Sequence, residues 1–239
     1  MKLYLSPSTQ EHNVGAGRYG TEEAYCNHLA DLMVPRLAAR GIIVYRNKPE
    51  MTLGEVVADS NRLQPDLHLA IHTNAMGGAS AGKAMGCEVY IHKRGGRSEP
   101  FANLLYKKIS DMTPWADRGV REGLNHYGAG KHMYETFRTD APAVLIEIDF
   151  HDRADSVLWL LRNAESIAAA MCSAVEEWAG LPALPDSMHD ILMVNRFLAN
   201  KGEHPLSLDY WPEHAKAGKT CDGGYVADAF RRIATALGK

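Results

Sequence analysis

Three residues of this chain combine a chemistry-bearing side chain with a position at a strand end or helix start, where layered α/β folds place their sites. His12 lies in the Ser6-to-Gly15 loop that follows the first apolar segment. Glu23 falls in the first turn of the next expected helix, and His72 directly follows an apolar run. Two imidazoles and a carboxylate, with a fourth position open to water, form the ligand set of a hydrolytic zinc site. A fourth candidate, Glu147, interrupts the otherwise apolar run Ala143 to Ile148. Burying an uncompensated carboxylate there is costly, so it must face a cleft or a partner. Beside an activated water it would be a general base.

Each of these residues also has an ordinary structural use. His12 suits an exposed loop, and Glu23 complements a helix dipole. His72 can close a strand end through a backbone hydrogen bond, and Glu147 can be a structural ion-pair partner. Several familiar signatures are absent. There is no Gly-x-Gly-x-x-Gly after a strand, no phosphate-cradling loop, no Gly-x-Ser-x-Gly and no His-Glu-x-x-His. Any zinc must therefore be held by ligands scattered along the chain.

The elements that must position these residues alternate between strand and helix. Lys2–Leu5, Ile42–Arg46, Leu67–Ile71, Cys87–Ile91 and Ala143–Ile148 read as strands. Thr21–Arg40, Leu53–Leu63, a stripe from Phe101 to Met112, and another from Val157 to Trp178 read as helices. Pro35 is expected to kink the first of them. The pattern predicts an α/β fold: a mixed, mostly parallel sheet flanked by helices on both faces, with a small helical C-terminal segment. The domain reading is 1–180 for the main unit, 181–187 for a Pro-containing linker and 188–239 for the helical segment. In that last part Tyr210 and Trp211, between Pro205 and Pro212, suggest either a surface platform or an anchor to the main unit. The Ile191-to-Leu198 apolar face offers homo-oligomerisation as a further use.

Composition narrows the partners. The chain has 239 residues, 26 Lys+Arg against 29 Asp+Glu and a net charge of −3, so no strong field selects nucleic acid or anionic membrane. No apolar run approaches the roughly 20 residues of a membrane span. Its four cysteines are far apart with no Cys-x-x-Cys pair, which predicts free, mostly buried thiols rather than a zinc knuckle.

Four blocks occur in a telling order: Ser6-Pro7-Ser8-Thr9-Gln10-Glu11-His12-Asn13, Glu23-Ala24-Tyr25-Cys26-Asn27, Ala70-Ile71-His72-Thr73-Asn74-Ala75, and Pro142 to Phe150. Together, over roughly residues 1 to 180, they resemble the catalytic domain of the zinc-dependent N-acetylmuramoyl-L-alanine amidases of autolysins and phage endolysins. Arg118-Gly119-Val120 falls where that family has a similar tripeptide. The resemblance implies one Zn2+ ion held by His12, Glu23 and His72, with Glu147 as the catalytic carboxylate. Asn74 and Asn27 are expected to orient ligands or substrate. Many members carry a Gly-His-Gly-Gly first block, where this chain has Glu11-His12-Asn13. Glu22 adjoins Glu23, but Glu23 keeps the same-face, four-residue relation to Asn27.

The implied activity is hydrolysis of the amide between the lactyl group of N-acetylmuramic acid and L-alanine, with bacterial peptidoglycan as partner. Alternatives are a zinc peptidase on free peptides and a non-catalytic wall-binding module of the same fold. Met1 to Pro7 is too short in its apolar part for a signal peptide. The expectation is synthesis in the cytoplasm and action on the wall after phage lysis or mother-cell lysis.

Overall fold

The computed structural model describes residues 1–115, 118–183, 186–208, 210–214 and 220–237. Among them, β1 (Lys2–Pro7), β2 (Ile43–Arg46), β3 (Leu67–Asn74), β4 (Glu88–Ile91), β5 (Gly119–Glu122) and β6 (Ala143–Phe150) form one sheet in the order β2-β1-β3-β6-β4-β5. Neighbouring strands run parallel except β4 and β6, which are antiparallel. The mixed, mostly parallel sheet of the sequence reading is the sheet observed. The edge strand β5 was not anticipated, because its four residues are half-buried or exposed and show no alternation.

Strand periodicity divides the side chains between two faces. Leu3, Leu5, Leu67, Leu69, Ile71, Val144, Ile146 and Ile148 enter one large core, each fully buried. Their neighbours Tyr4, Ser6, His68, Ala70, His72, Leu145 and Glu147 therefore point to the other face. Both β3 and β6 read as near-continuous apolar runs because they lie in the centre of the sheet, covered on both sides.

The core face is covered by α1 (Glu22–Ala39), α3 (Glu99–Ser110) and α5 (Ala154–Trp178). Thr21 caps α1 by accepting a hydrogen bond from the Ala24 N–H at 3.2 Å. Leu29, Met33 and Leu37 project from it into the core, where burying each contributes about 1.5–3 kcal/mol. Pro35 sits on its exposed side, and the helix continues through it to Ala39. At its end Arg40 donates to Glu176 on α5 at 3.1 Å and to the Pro182 carbonyl at 2.6 Å, tying down the chain that leaves α5.

The opposite face carries α2 (Leu53–Leu63) and the short α4 (Tyr134–Arg138). A capping box starts α2: Thr52 accepts from the Glu55 N–H, and Glu55 accepts from the Thr52 N–H at 2.8 Å. Five residues are too few for helical periodicity, so α4 was not legible in the sequence.

Beyond α5 come α6 (Asp186–Asn200), α7 (Trp211–His214) and α8 (Gly223–Ala236). Ile191, Leu198, Leu206, Ala229 and Ala236 form a second, small core, and α6 packs on α1. Trp211 is half-buried against that core, while Tyr210 stacks between His214 and Tyr225 with ring centroids 4.0 and 3.8 Å away. The two aromatics thus pack within their own segment. Residues 184 and 185 of the expected linker lie outside the described residues. Cys26, Cys87 and Cys172 are buried free thiols, and Cys221 is an exposed one.

Candidate active site

The polar face of the sheet carries an ionisable row. His72 on β3 is in register with Glu147 on β6, which is in register with Glu88 on β4. A cavity of about 220 Å³ opens over this row, lined among others by Ser6, Gln10, His72, Tyr127, Glu135 and Glu147. It lies at the C-terminal ends of β1 and β3, where parallel strands present their following loops.

Glu22, the first residue of α1, is buried, and its Oε1 meets His72 Nδ1 at 2.7 Å. The loop before α1 folds over this carboxylate. Asn13 donates from Nδ2 to Glu22 Oε2 at 2.7 Å and to Gln10 Oε1 at 2.8 Å, and its carbonyl accepts the Glu22 N–H at 2.9 Å. Gly15 makes this folding possible, because any Cβ there would collide with the Tyr19 ring. Gln10 Nε2 lies 3.5 Å from His72 Nδ1.

Burial alone would raise the Glu22 carboxyl, but bonds from His72, Asn13 and Ser8 outweigh it and hold the group below its ordinary value. Burial likewise lowers the His72 imidazole, yet Glu135 and Glu22 on either side hold it well above the usual histidine range. Glu88 is compensated separately: Arg118 and Arg121 approach its Oε2 at 3.1 and 2.9 Å, and Asn74 donates to its Oε1 at 2.8 Å. The tripeptide noted in the sequence thus supplies a guanidinium to the row.

Glu147 lacks such compensation. Its Oε2 is buried with no hydrogen-bond partner among the described residues. Desolvation, opposed by His72 but reinforced by Glu22 and Glu88, pushes its carboxyl up from 4.5 to about 8. Between those values the native protein holds a proton that the unfolded chain has released, so stability falls as pH rises through the window. Glu147→Gln removes that slope. In chelator-treated protein, the variant's thermal midpoint should exceed that of the wild type by on the order of 5 °C at pH 9, with the gap closing toward pH 5. Parallel curves would show an ordinary, solvated carboxyl.

The other sequence-derived candidates lie apart from this cluster. His12 has a side chain 93% exposed, and its charged neighbour is Glu11 at 3.4 Å. Glu23 is half-buried, but the hydrogen bond to His72 comes from Glu22. Asn27 donates to the Glu23 carbonyl and accepts from Arg46, on the flank of α1. Asn74 serves Glu88 and the Ala75 N–H. Two residues that the sequence reading did not single out, Gln10 and Glu135, belong to the cluster, together with Glu22, which it set aside in favour of Glu23. His151, close to Glu147 in sequence, is buried and bonded to Thr73 at 3.0 Å.

A sequence model of the N-acetylmuramoyl-L-alanine amidase family matches residues 4–177. The chain belongs to that family. An uncharacterized protein of Clostridium perfringens is 28% identical over 129 residues, which are 54% of this chain and 35% of that relative's length. The catalytic domain of CwlV, an N-acetylmuramoyl-L-alanine amidase from Bacillus (Paenibacillus) polymyxa, shares the fold with a TM-score of 0.64 at 19% identity. That match covers 76% of this chain and 99% of the other. Cwp6 from Clostridium difficile superposes with a TM-score of 0.61 at 28% identity, over 74% of this chain and 29% of its own.

The family implies zinc, and the donor chemistry of the cluster tests the fit. Glu22 Oε1 and His72 Nδ1 are chemically suitable ligand atoms and lie 2.7 Å apart, bonded to each other. Glu135 Oε2 stands on the side of the other ring nitrogen at 3.9 Å, an ion-pair distance rather than a hydrogen bond. No group of three His, Cys, Asp or Glu is arranged for a metal among the described residues, because the third neighbour is the amide of Gln10. Glu22 and His72 are thus the two donors of this cluster whose chemistry suits zinc, with the neutral Gln10 amide beside them.

Proposed function

We propose that this amidase-family chain hydrolyses the bond between the lactyl group of N-acetylmuramic acid and L-alanine of the stem peptide in bacterial peptidoglycan. The observation that carries this reading is Glu147, a carboxyl with one orphaned buried oxygen, raised to about 8 and set beside the Glu22–His72 pair. Held by Glu22, His72 and the Gln10 amide, zinc would supply a Lewis acid that acidifies water and polarises the scissile carbonyl.

The protein's own groups do the remaining work. Glu147 takes a proton from the attacking water and delivers it to the departing alanine nitrogen. Burial raises the Glu147 carboxyl above its ordinary value, which strengthens it as a base toward that water. Asn13 and Ser8 keep the Glu22 carboxylate aimed at His72. At the cavity mouth the exposed rings of Tyr127 and Tyr134 offer flat faces to a sugar.

Digestion of purified peptidoglycan followed by mass spectrometry tests the bond cleaved. Soluble stem peptides bearing a new alanine N-terminus are expected. Cleavage within the stem peptide would make the protein a peptidase instead. Metal affinity tests the ligand set: Gln10→His replaces a neutral amide by an imidazole and should tighten zinc binding roughly tenfold or more in chelator competition. Unchanged affinity would remove Gln10 from the set.

A further inference from the structure

We propose that Glu135 is a positioning residue, which fixes the His72 ring through its outer nitrogen and is itself held by His68, Ser60 and Ser6; this rests on the reading of His72 as a zinc ligand. The groups form a continuous chain across four elements, β1, α2, β3 and α4. Ser60 on α2 meets His68 Nδ1 at 2.9 Å, and His68 Nε2 meets Glu135 Oε1 at 2.8 Å. Ser6 donates to the same Glu135 oxygen, and Glu135 Oε2 stands 3.9 Å from His72 Nε2. Ser60 and His68 are fully buried, and Glu135 is 3% exposed.

The pattern on β3 explains how one carboxylate reaches two imidazoles. His68, Ala70 and His72 share the polar face, and the small Ala70 between them leaves room for Glu135. The His68 ring is fixed in turn, stacked on Tyr4 at 5.2 Å and 8°, while the Tyr4 hydroxyl donates to Asp59 on α2. Merely docking α4 would not need these groups. Met133, Leu145, Tyr90 and Ala70 already make an apolar contact there, and buried ionic sets are seldom better than apolar packing for stability. Their geometric use is orientation. With Glu135 on one nitrogen, the other nitrogen of His72 faces Glu22.

The test is zinc competition against a chromophoric chelator, with kcat and KM on a soluble muropeptide, for wild type, Glu135→Gln and Glu135→Asp. The expected result is zinc affinity weaker by about 10–100-fold in Glu135→Gln, with kcat reduced, KM little changed and Glu135→Asp intermediate. A Glu135→Gln protein with a lower Tm but unchanged zinc affinity and kcat would overturn the proposal, leaving Glu135 as a structural tie. If that variant is insoluble, Glu135→Asp and His68→Gln carry the same measurements. A wild type that turns over without taking up zinc would instead overturn the ligand reading. The kcat of Glu135→Gln then decides alone, and an unchanged value rejects the positioning role.

Discussion

Glu147→Gln is expected to reduce turnover by about 10²–10⁴-fold, the usual worth of a general acid–base group, while leaving zinc content and fold intact. Glutamine keeps the size and one carbonyl oxygen of the side chain but can neither take the water's proton nor return it to the amine. Because Glu147 Oε2 makes no hydrogen bond among the described residues, the substitution breaks no internal contact there, and KM should change little. Metal analysis on the same preparation separates the roles. A Glu147→Gln protein that has lost its zinc would make Glu147 a ligand and take proton transfer away from it.

The second large effect distinguishes two neighbouring pairs of residues. His72→Ala and Glu22→Gln should each lose zinc and activity together, since each removes one of the two adjacent ligand atoms. His12→Ala and Glu23→Gln should keep both within about twofold, as expected for surface changes away from special features. Zinc content by atomic emission and initial rates on a muropeptide read both outcomes. Loss of zinc in His12→Ala with retention in Glu22→Gln would reinstate the ligand set implied by family resemblance. Acid should act like the His72 substitution, because protons compete with the metal for imidazole and release it as activity falls.

That Gln10 and Glu22, rather than His12 and Glu23, lie nearest His72 has a physical reason. On β3 and β6 the side-chain period is 2, so an apolar run ending in His72 or broken by Glu147 announces which residue leaves the core. The loop between β1 and α1 has no period. Whether Gln10 or His12 approaches His72 is decided by local turns, such as the Asn13 N–H to the Gln10 carbonyl, that residue types do not reveal. Helix phase raises the same difficulty. Glu22 and Glu23 are equally suited to a first turn, and the same-face relation to Asn27 favoured Glu23. The deciding contacts on Glu22 come from Asn13, in the irregular loop before the helix, and from His72, 50 residues away. Glu135 was illegible for a different cause, since its partners lie 67 and 129 residues away and its helix is a single short turn.

Two kinds of backbone meet at the cavity, and this has a consequence for how a substrate can be accommodated. His72 and Glu147 are paired with each other on adjacent central strands, with a register shift only beyond them between His72 and Asn74, so hydrogen exchange there should be slower than in the surrounding loops. Gln10 and Asn13 belong to an irregular loop, and Tyr127 and His132 to another, with Tyr127 itself 64% exposed. The reacting half of the pocket is therefore rigid, and any adjustment to different stem peptides or sugars must occur in those two loops. Variation in wall preference should follow grafting of residues 123–133, with the strands and the Ser8-to-Asn13 loop left untouched.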